Sequence, residues 1–115
     1  MATWEDVARL ARELPEAEEA TTYRQPSLKV HGKKFAWMSP HAKGALVVLA
    51  DEGELPLLID SRPDVYFTTP HYDGYPMLLI RLERADDDAL RERLEDSWAL
   101  VAPPELVDSF AAADG

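Results

Sequence analysis

No cysteine occurs among the 115 residues. Disulfide bridges, zinc–thiolate centres and thiol catalysis are therefore excluded. No apolar run approaches the roughly 20 residues needed to span a bilayer. The longest, ALVVLA at 45–50, has the length of a strand. The opening MATWEDVARL lacks a basic n-region, and carboxylates interrupt its apolar positions, so it does not read as a secretory signal. A cytoplasmic protein with no membrane partner is the expectation. Histidine is scarce: His31, His41 and His71 are the only three, and none forms an HxH or HExxH pair. The five glycines form neither GxGxxG nor a phosphate-binding loop. The triple aspartate at 86–88 lacks the calcium-loop pattern and reads as a helix start. Neither a metal nor a cofactor is expected.

What is present points to a folded globule. The hydrophobic fraction is 46%, and the length suits a single domain over residues 1–115. The formal net charge is −10, but it is unevenly spread. Residues 1–20 hold two basic and six acidic side chains, and residues 51–115 hold five basic and sixteen acidic ones. Residues 21–50 hold Arg24, Lys29, Lys33, Lys34 and Lys43 with no carboxylate at all. This acid-free segment in an acidic chain is the main electrostatic signal.

Periodicity places the elements. TWEDVARLARELP predicts an amphipathic helix capped at Thr3, with Trp4, Val7, Ala8, Ala11 and Leu14 on one face and Pro15 as its stop. EATTYRQ is strand-like with weak alternation. SLKVHGKKFAWMS predicts a hairpin turning at His31-Gly32-Lys33, with Phe35 and Trp37 alternating with Lys34 and Ala36. GALVVLA predicts a central strand. Leu55, Leu58 and Ile59 suggest a short helix with Pro56 in its first turn. VYFTT and YPMLLIRLE read as strands around a turn cornered by Asp73-Gly74. DDDALRERLEDSWALV is the strongest helix, with Leu90, Leu94, Trp98 and Val101 in one stripe, and PELVDSF can restart a short one. No βα alternation demands a parallel sheet. The expected fold is therefore a two-layer α+β domain, an antiparallel sheet with helices packed on one face.

Four stretches carry a family resemblance: LP at 14–15 with acidic residues after it, PSLKVHGKKFAWM at 26–38, VYFTTPHYDGYPMLLIRL at 65–82 and SWALVAPPEL at 97–106. With this element order, the chain resembles the MmcQ/YjbR family over nearly its whole length. The resemblance implies the order α-β(3)-α-β(2)-α, similar to secretion chaperones, and the DNA-binding label usual for the family. It brings no catalytic mechanism. Related chains often carry Trp where this one has Met77.

Two candidate sites follow. Arg24, Lys29, Lys33, Lys34 and Lys43 either line a basic rim that contacts phosphates or form the solvated side of a hairpin. His71, Tyr72 and Tyr75 either line a small pocket, with Arg81 or Arg24 as its cation, or belong to a turn packed over the sheet. All three tryptophans, Trp4, Trp37 and Trp98, are expected to pack in the core. No serine sits in a nucleophile elbow, so the protein is not read as an enzyme. The partner expected first is DNA, at the rim. A protein partner or a second copy is the alternative, and a small ligand near His71 and Tyr72 is a third.

Overall fold

The computed structural model describes residues 2–22 and 24–114. Four helices, α1 (Trp4–Ala11), α2 (Leu55–Ser61), α3 (Asp87–Val101) and α4 (Pro104–Asp114), accompany six strands. The strands are β1 (Ala17–Thr22), β2 (Gln25–Val30), β3 (Lys33–Met38), β4 (Ala45–Leu49), β5 (Tyr66–Phe67) and β6 (Met77–Arg81). They form one antiparallel sheet in the order β1-β2-β3-β4-β6-β5, with β4 central. The α+β class stands. The order runs α-β(4)-α-β(2)-α-α, one strand and one helix longer than α-β(3)-α-β(2)-α. The added strand is β1, which starts two residues before the weakly alternating EATTYRQ stretch and overlaps its first four residues; Tyr23 of that stretch lies outside the described residues. It is an edge strand, and its exposed Glu18 and Glu19 discourage pairing with another chain.

All four helices pack on the same face. Leu90, Leu94 and Trp98 of α3 and Val7, Leu10 and Ala11 of α1 are buried against Leu28, Val30, Phe35, Leu46, Val48, Leu78 and Ile80 of the sheet. Leu55, Leu58 and Ile59 of α2 and Leu106, Val107 and Phe110 of α4 seal the margin. Helix α1 starts where the Asp6 carboxylate accepts hydrogen bonds from the Thr3 amide (2.9 Å) and hydroxyl (3.3 Å). That amide, then the Arg9 guanidinium, hold Asp6 below the usual carboxylate range. Arg9 also bridges to Asp87 at 3.1 Å and Arg91 to Glu13 at 3.1 Å, which aligns α1 with α3. These exposed pairs orient the helices more than they stabilise them.

The β2–β3 hairpin turns on two residues with positive φ, His31 (49°) and Gly32 (78°), the backbone required for a tight two-residue connection. Register then shifts. Lys29 faces Lys34, but Leu28 faces Ala36, which leaves Phe35 as the extra residue of a β-bulge. The expected alternation of Phe35 and Trp37 on one side fails here. Phe35 and Ala36 both enter the helix-side core, while Trp37 packs on the opposite face. The bulge is stitched from α3. The fully buried Ser97 hydroxyl donates to the Phe35 carbonyl (2.5 Å) and accepts from the Leu49 amide (2.9 Å). One side chain thus satisfies two backbone groups where the ladder is interrupted.

Trp98, also fully buried, donates its indole N–H to the Pro15 carbonyl at 3.1 Å and meets the Phe110 ring edge-on. Two substitutions separate these roles. Trp98→Ala should cost about 3–5 kcal/mol by deleting a buried large aromatic. Ser97→Ala removes only an oxygen, yet should cost about 2–4 kcal/mol, because it orphans a buried carbonyl and a buried amide. Urea unfolding midpoints measure both; a neutral Ser97→Ala would mean that the bulge finds other partners.

Candidate functional site

With the four α-helices on one side, the other face of the sheet is covered by loops and a short 3-10 turn. A small second cluster lies there: Ala45, Val47 and Leu79 from β4 and β6 beneath Tyr72, flanked by Trp37, Phe67 and Met77. Tyr72 belongs to a short 3-10 turn, Pro70–Tyr72, and Gly74 (φ 87°) closes the corner after it. The Ser39 hydroxyl anchors the turn. It accepts from the amides of His41 (3.1 Å) and Ala42 (2.9 Å) and lies 2.8 Å from the Tyr72 hydroxyl. A serine oxygen has two lone pairs and one hydrogen. Either hydroxyl of that pair can donate, and the Tyr72 hydroxyl keeps room for a second hydrogen bond.

Beside this turn runs a groove of about 300 Å³, lined by Lys34, Trp37, Met38, Pro40, His41, His71, Tyr72, Tyr75 and Met77. Five of these nine side chains carry aromatic rings, and none carries a carboxylate. The Lys34 ammonium lies 4.3 Å from the centre of the Trp37 ring. The His41 and His71 rings lie against each other with centroids 3.7 Å apart, and Tyr72 meets His71 edge-on at 4.9 Å. Tyr75 stands at the rim, 58% exposed. Partial burial, then the charge of Lys29, hold the Lys34 ammonium below the usual lysine range.

The basic residues segregate. Arg9, Arg12, Arg62, Arg91 and Arg93 each pair with a carboxylate within 4.0 Å. Among the described residues no such pair involves Arg24, Arg81, Arg84 or any lysine. Glu18 stands opposite Lys29 in the β1–β2 register without forming an ion pair. Yet the five cations expected on one rim do not converge. Lys29 and Lys34 face each other across β2 and β3 on the open face. Lys33 pairs with Val30, whose side chain enters the helix-side core, so Lys33 is directed to the other side. Arg24 precedes β2 at the far end from that turn, and Lys43 lies in the β3–β4 turn.

His71, Tyr72 and Tyr75 do line a groove, and its cation is Lys34. Arg81 instead lies 4.0 Å from the centre of the Phe67 ring and donates to the Pro63 carbonyl at 3.5 Å. With Lys43, Glu83 and Trp4 it borders a separate cavity. Sequence reasoning missed Ser39, His41 and the open-face position of Trp37. A β-bulge leaves no mark in the hydrophobic pattern, and the SPHAKG turn showed no reason to meet residues thirty positions later. No group of three or more His, Asp or Glu among the described residues could hold a metal ion. No described helix is long and apolar enough to cross a membrane.

A small α+β protein with one sealed and one open sheet face is thus defined. Residues 12–100 match the family model YjbR, and the chain belongs to the YjbR family. It is 38% identical, over the full length of both chains, to the uncharacterised proteins Rv2570 of Mycobacterium tuberculosis and Mb2600 of Mycobacterium bovis. The crystal structure of Deinococcus radiodurans protein DR2400, described with the domain DUF419, has the same fold. Its TM-score is 0.75 at 18% identity, covering 96% of this chain and 89% of that one.

Lys34 is a residue the fold does not need. Lys34→Gln should change stability by less than about 1 kcal/mol, as for surface positions outside a packed network. The pH dependence has a definite sign. Folding lowers the affinity of Lys34 for its proton, so the unfolded chain binds more protons between the lowered value and the ordinary 10.5. Burying the charge disfavours the fold at neutral pH, and that cost fades as pH rises through the lowered value. Thermal melts from about pH 7 to about pH 10 should therefore move in favour of the wild type relative to Lys34→Gln.

Proposed function

We propose that this YjbR-family protein is a non-enzymatic cytoplasmic binding protein that takes a small anionic ligand in the groove on its open sheet face. The observation that carries this reading is the lining itself. In a chain with 22 carboxylates, none reaches the groove, while Lys34 and two imidazoles do. An uncompensated cation beside aromatic walls supplies charge and apolar contact together, the pairing common to small-ligand sites. The space suits a small molecule better than a polymer.

Duplex DNA fits this geometry less well. Affinity for a duplex rests on many phosphate contacts; on the open face Lys29 and Lys34 are cross-strand neighbours, while Arg81 stands apart over Phe67. The acidic start of α3, Asp86 to Asp88, lies on the helix side and would repel a duplex there.

The test pairs two neighbours on β3. Isothermal titration with adenosine monophosphate should show binding that Lys34→Glu weakens by about tenfold or more, the scale of one lost charge contact. Lys33→Glu, on the other side of the strand, should leave it unchanged. A duplex of about 20 base pairs, titrated at about 50 and about 200 mM salt, addresses DNA. Equal loss of duplex binding in both variants, with a log–log salt slope of about −2 to −4, would replace the groove by the basic rim. Sedimentation of the wild type would reveal a dimer, the outcome that favours a second copy as the partner.

A further inference from the structure

We infer that the groove recognises a planar ring attached to an anionic group, the shared chemistry of a nucleotide and an aromatic carboxylate, rather than an anion alone. This rests on the anion-binding reading above and adds the ring. Three features point to it.

The first is the Trp37 face. Phe35 and Trp98 lie wholly inside the core, but the bulge turns Trp37 outward on the open face, where it is partly buried against the second cluster and the Lys34 ammonium lies over its ring. Lys34 has no carboxylate partner among the described residues, and a lysine side chain is a flexible stem. It can swing from the indole to the anionic group of a ligand. The uncovered indole then accepts a ring, with which stacking is favourable.

The second is the opposite wall. The His41 and His71 rings lie against each other, tilted by 36°, and the Tyr72 ring stands across them at 81° to His71. Both histidines are exposed, and neither imidazole makes a hydrogen bond among the described residues. Their N–H groups are available to an anion, while their ring faces and the exposed Tyr75 confine it laterally. A ringless anion such as inorganic phosphate would satisfy Lys34 and the imidazole N–H groups and leave the aromatic walls wet.

The third is the Tyr72 hydroxyl. The phenol bonds to Ser39 and keeps capacity for a second hydrogen bond, as donor or acceptor, beside the aromatic lining. Tyr72 is itself about nineteen-twentieths buried, at 5% exposure. A polar group fixed that deeply discriminates strongly, since a ligand lacking the matching group leaves that capacity unmet. The preferred ligand therefore presents a polar group on or beside its ring.

The experiment compares ringed and ringless anions on the intact protein. Adenosine monophosphate and 4-hydroxybenzoate represent the two ring sources; ribose 5-phosphate and acetate match their anionic groups without the ring. Calorimetric titration should give at least one ringed ligand an advantage of about tenfold or more over its ringless counterpart. Ring-current shifts of the Trp37 indole protons should accompany that binding. Trp37→Leu should reduce the advantage to about twofold or less, and Tyr72→Phe should weaken the ringed ligand by about tenfold while preserving the fold. Thermal melts check that both variants are folded, and Tyr75→Ser, at the exposed rim, provides a second removal of a ring if Trp37→Leu unfolds. Equal affinity for ringed and ringless anions would overturn the ring and leave the anion site standing. Binding of neither class would overturn both.

Discussion

The contact between Ser97 and the bulged strand β3 organises this molecule. Phe35 is one residue too many for the β2–β3 ladder, and its carbonyl would be buried without a partner. The Ser97 hydroxyl supplies that partner and takes the Leu49 amide as well, which ties α3 to β3 and β4 at one point. Two consequences follow from the same extra residue. Phe35 and Ala36 enter the core together, giving α3 a broad surface to pack on. Lys34 and Trp37, which strict alternation would separate, come to lie on the same face in contact. Core and groove thus depend on one side chain that touches no ligand.

Charge is distributed on the same plan. Helix-side arginines are matched with carboxylates, as between α1 and α3, and the carboxylates left over, such as those at the start of α3, keep that side acidic. The open face keeps Lys29 and Lys34 side by side, unpaired and mutually repelling, with Lys34 partly withdrawn from water. Such an arrangement lowers stability, and nothing in the packing of the core requires it. Cost without structural return is a common mark of a binding surface, where stability is exchanged for affinity. The cavity on the other side of Tyr75, bordered by Glu52, Asp60 and Asp73, shows the opposite charge within a few residues, so the two sides of that ring face different chemistry.

Family membership and fold sit at different levels from function here. The likeness to DR2400, at 18% identity, shows a shared architecture and stops there. The mycobacterial relatives extend the similarity over whole chains but are themselves uncharacterised. The groove draws its parts from β3, the β3–β4 turn, the 3-10 turn after β5 and the start of β6.

The residues themselves determined the class, the helix stripe of Leu90, Leu94 and Trp98, the central strand at 45–49 and the hairpin at Gly32. Each is a local periodic or backbone requirement, and local requirements are visible in order along the chain. The involvement of His71, Tyr72 and Tyr75 in a groove was legible as a polar and aromatic loop, but its cation was not, because Arg24 and Lys34 look alike in sequence. Edge strand β1 was faint because its side chains pack little and alternate poorly. Tertiary structure alone decided which lysines share a face, since a single-residue bulge inverts the pleat and reverses every assignment on one side of it. It alone brought Ser39 and His41 to Tyr72 and His71. Contacts across some thirty residues depend on where the sheet places two loops, and no spacing within either loop records that.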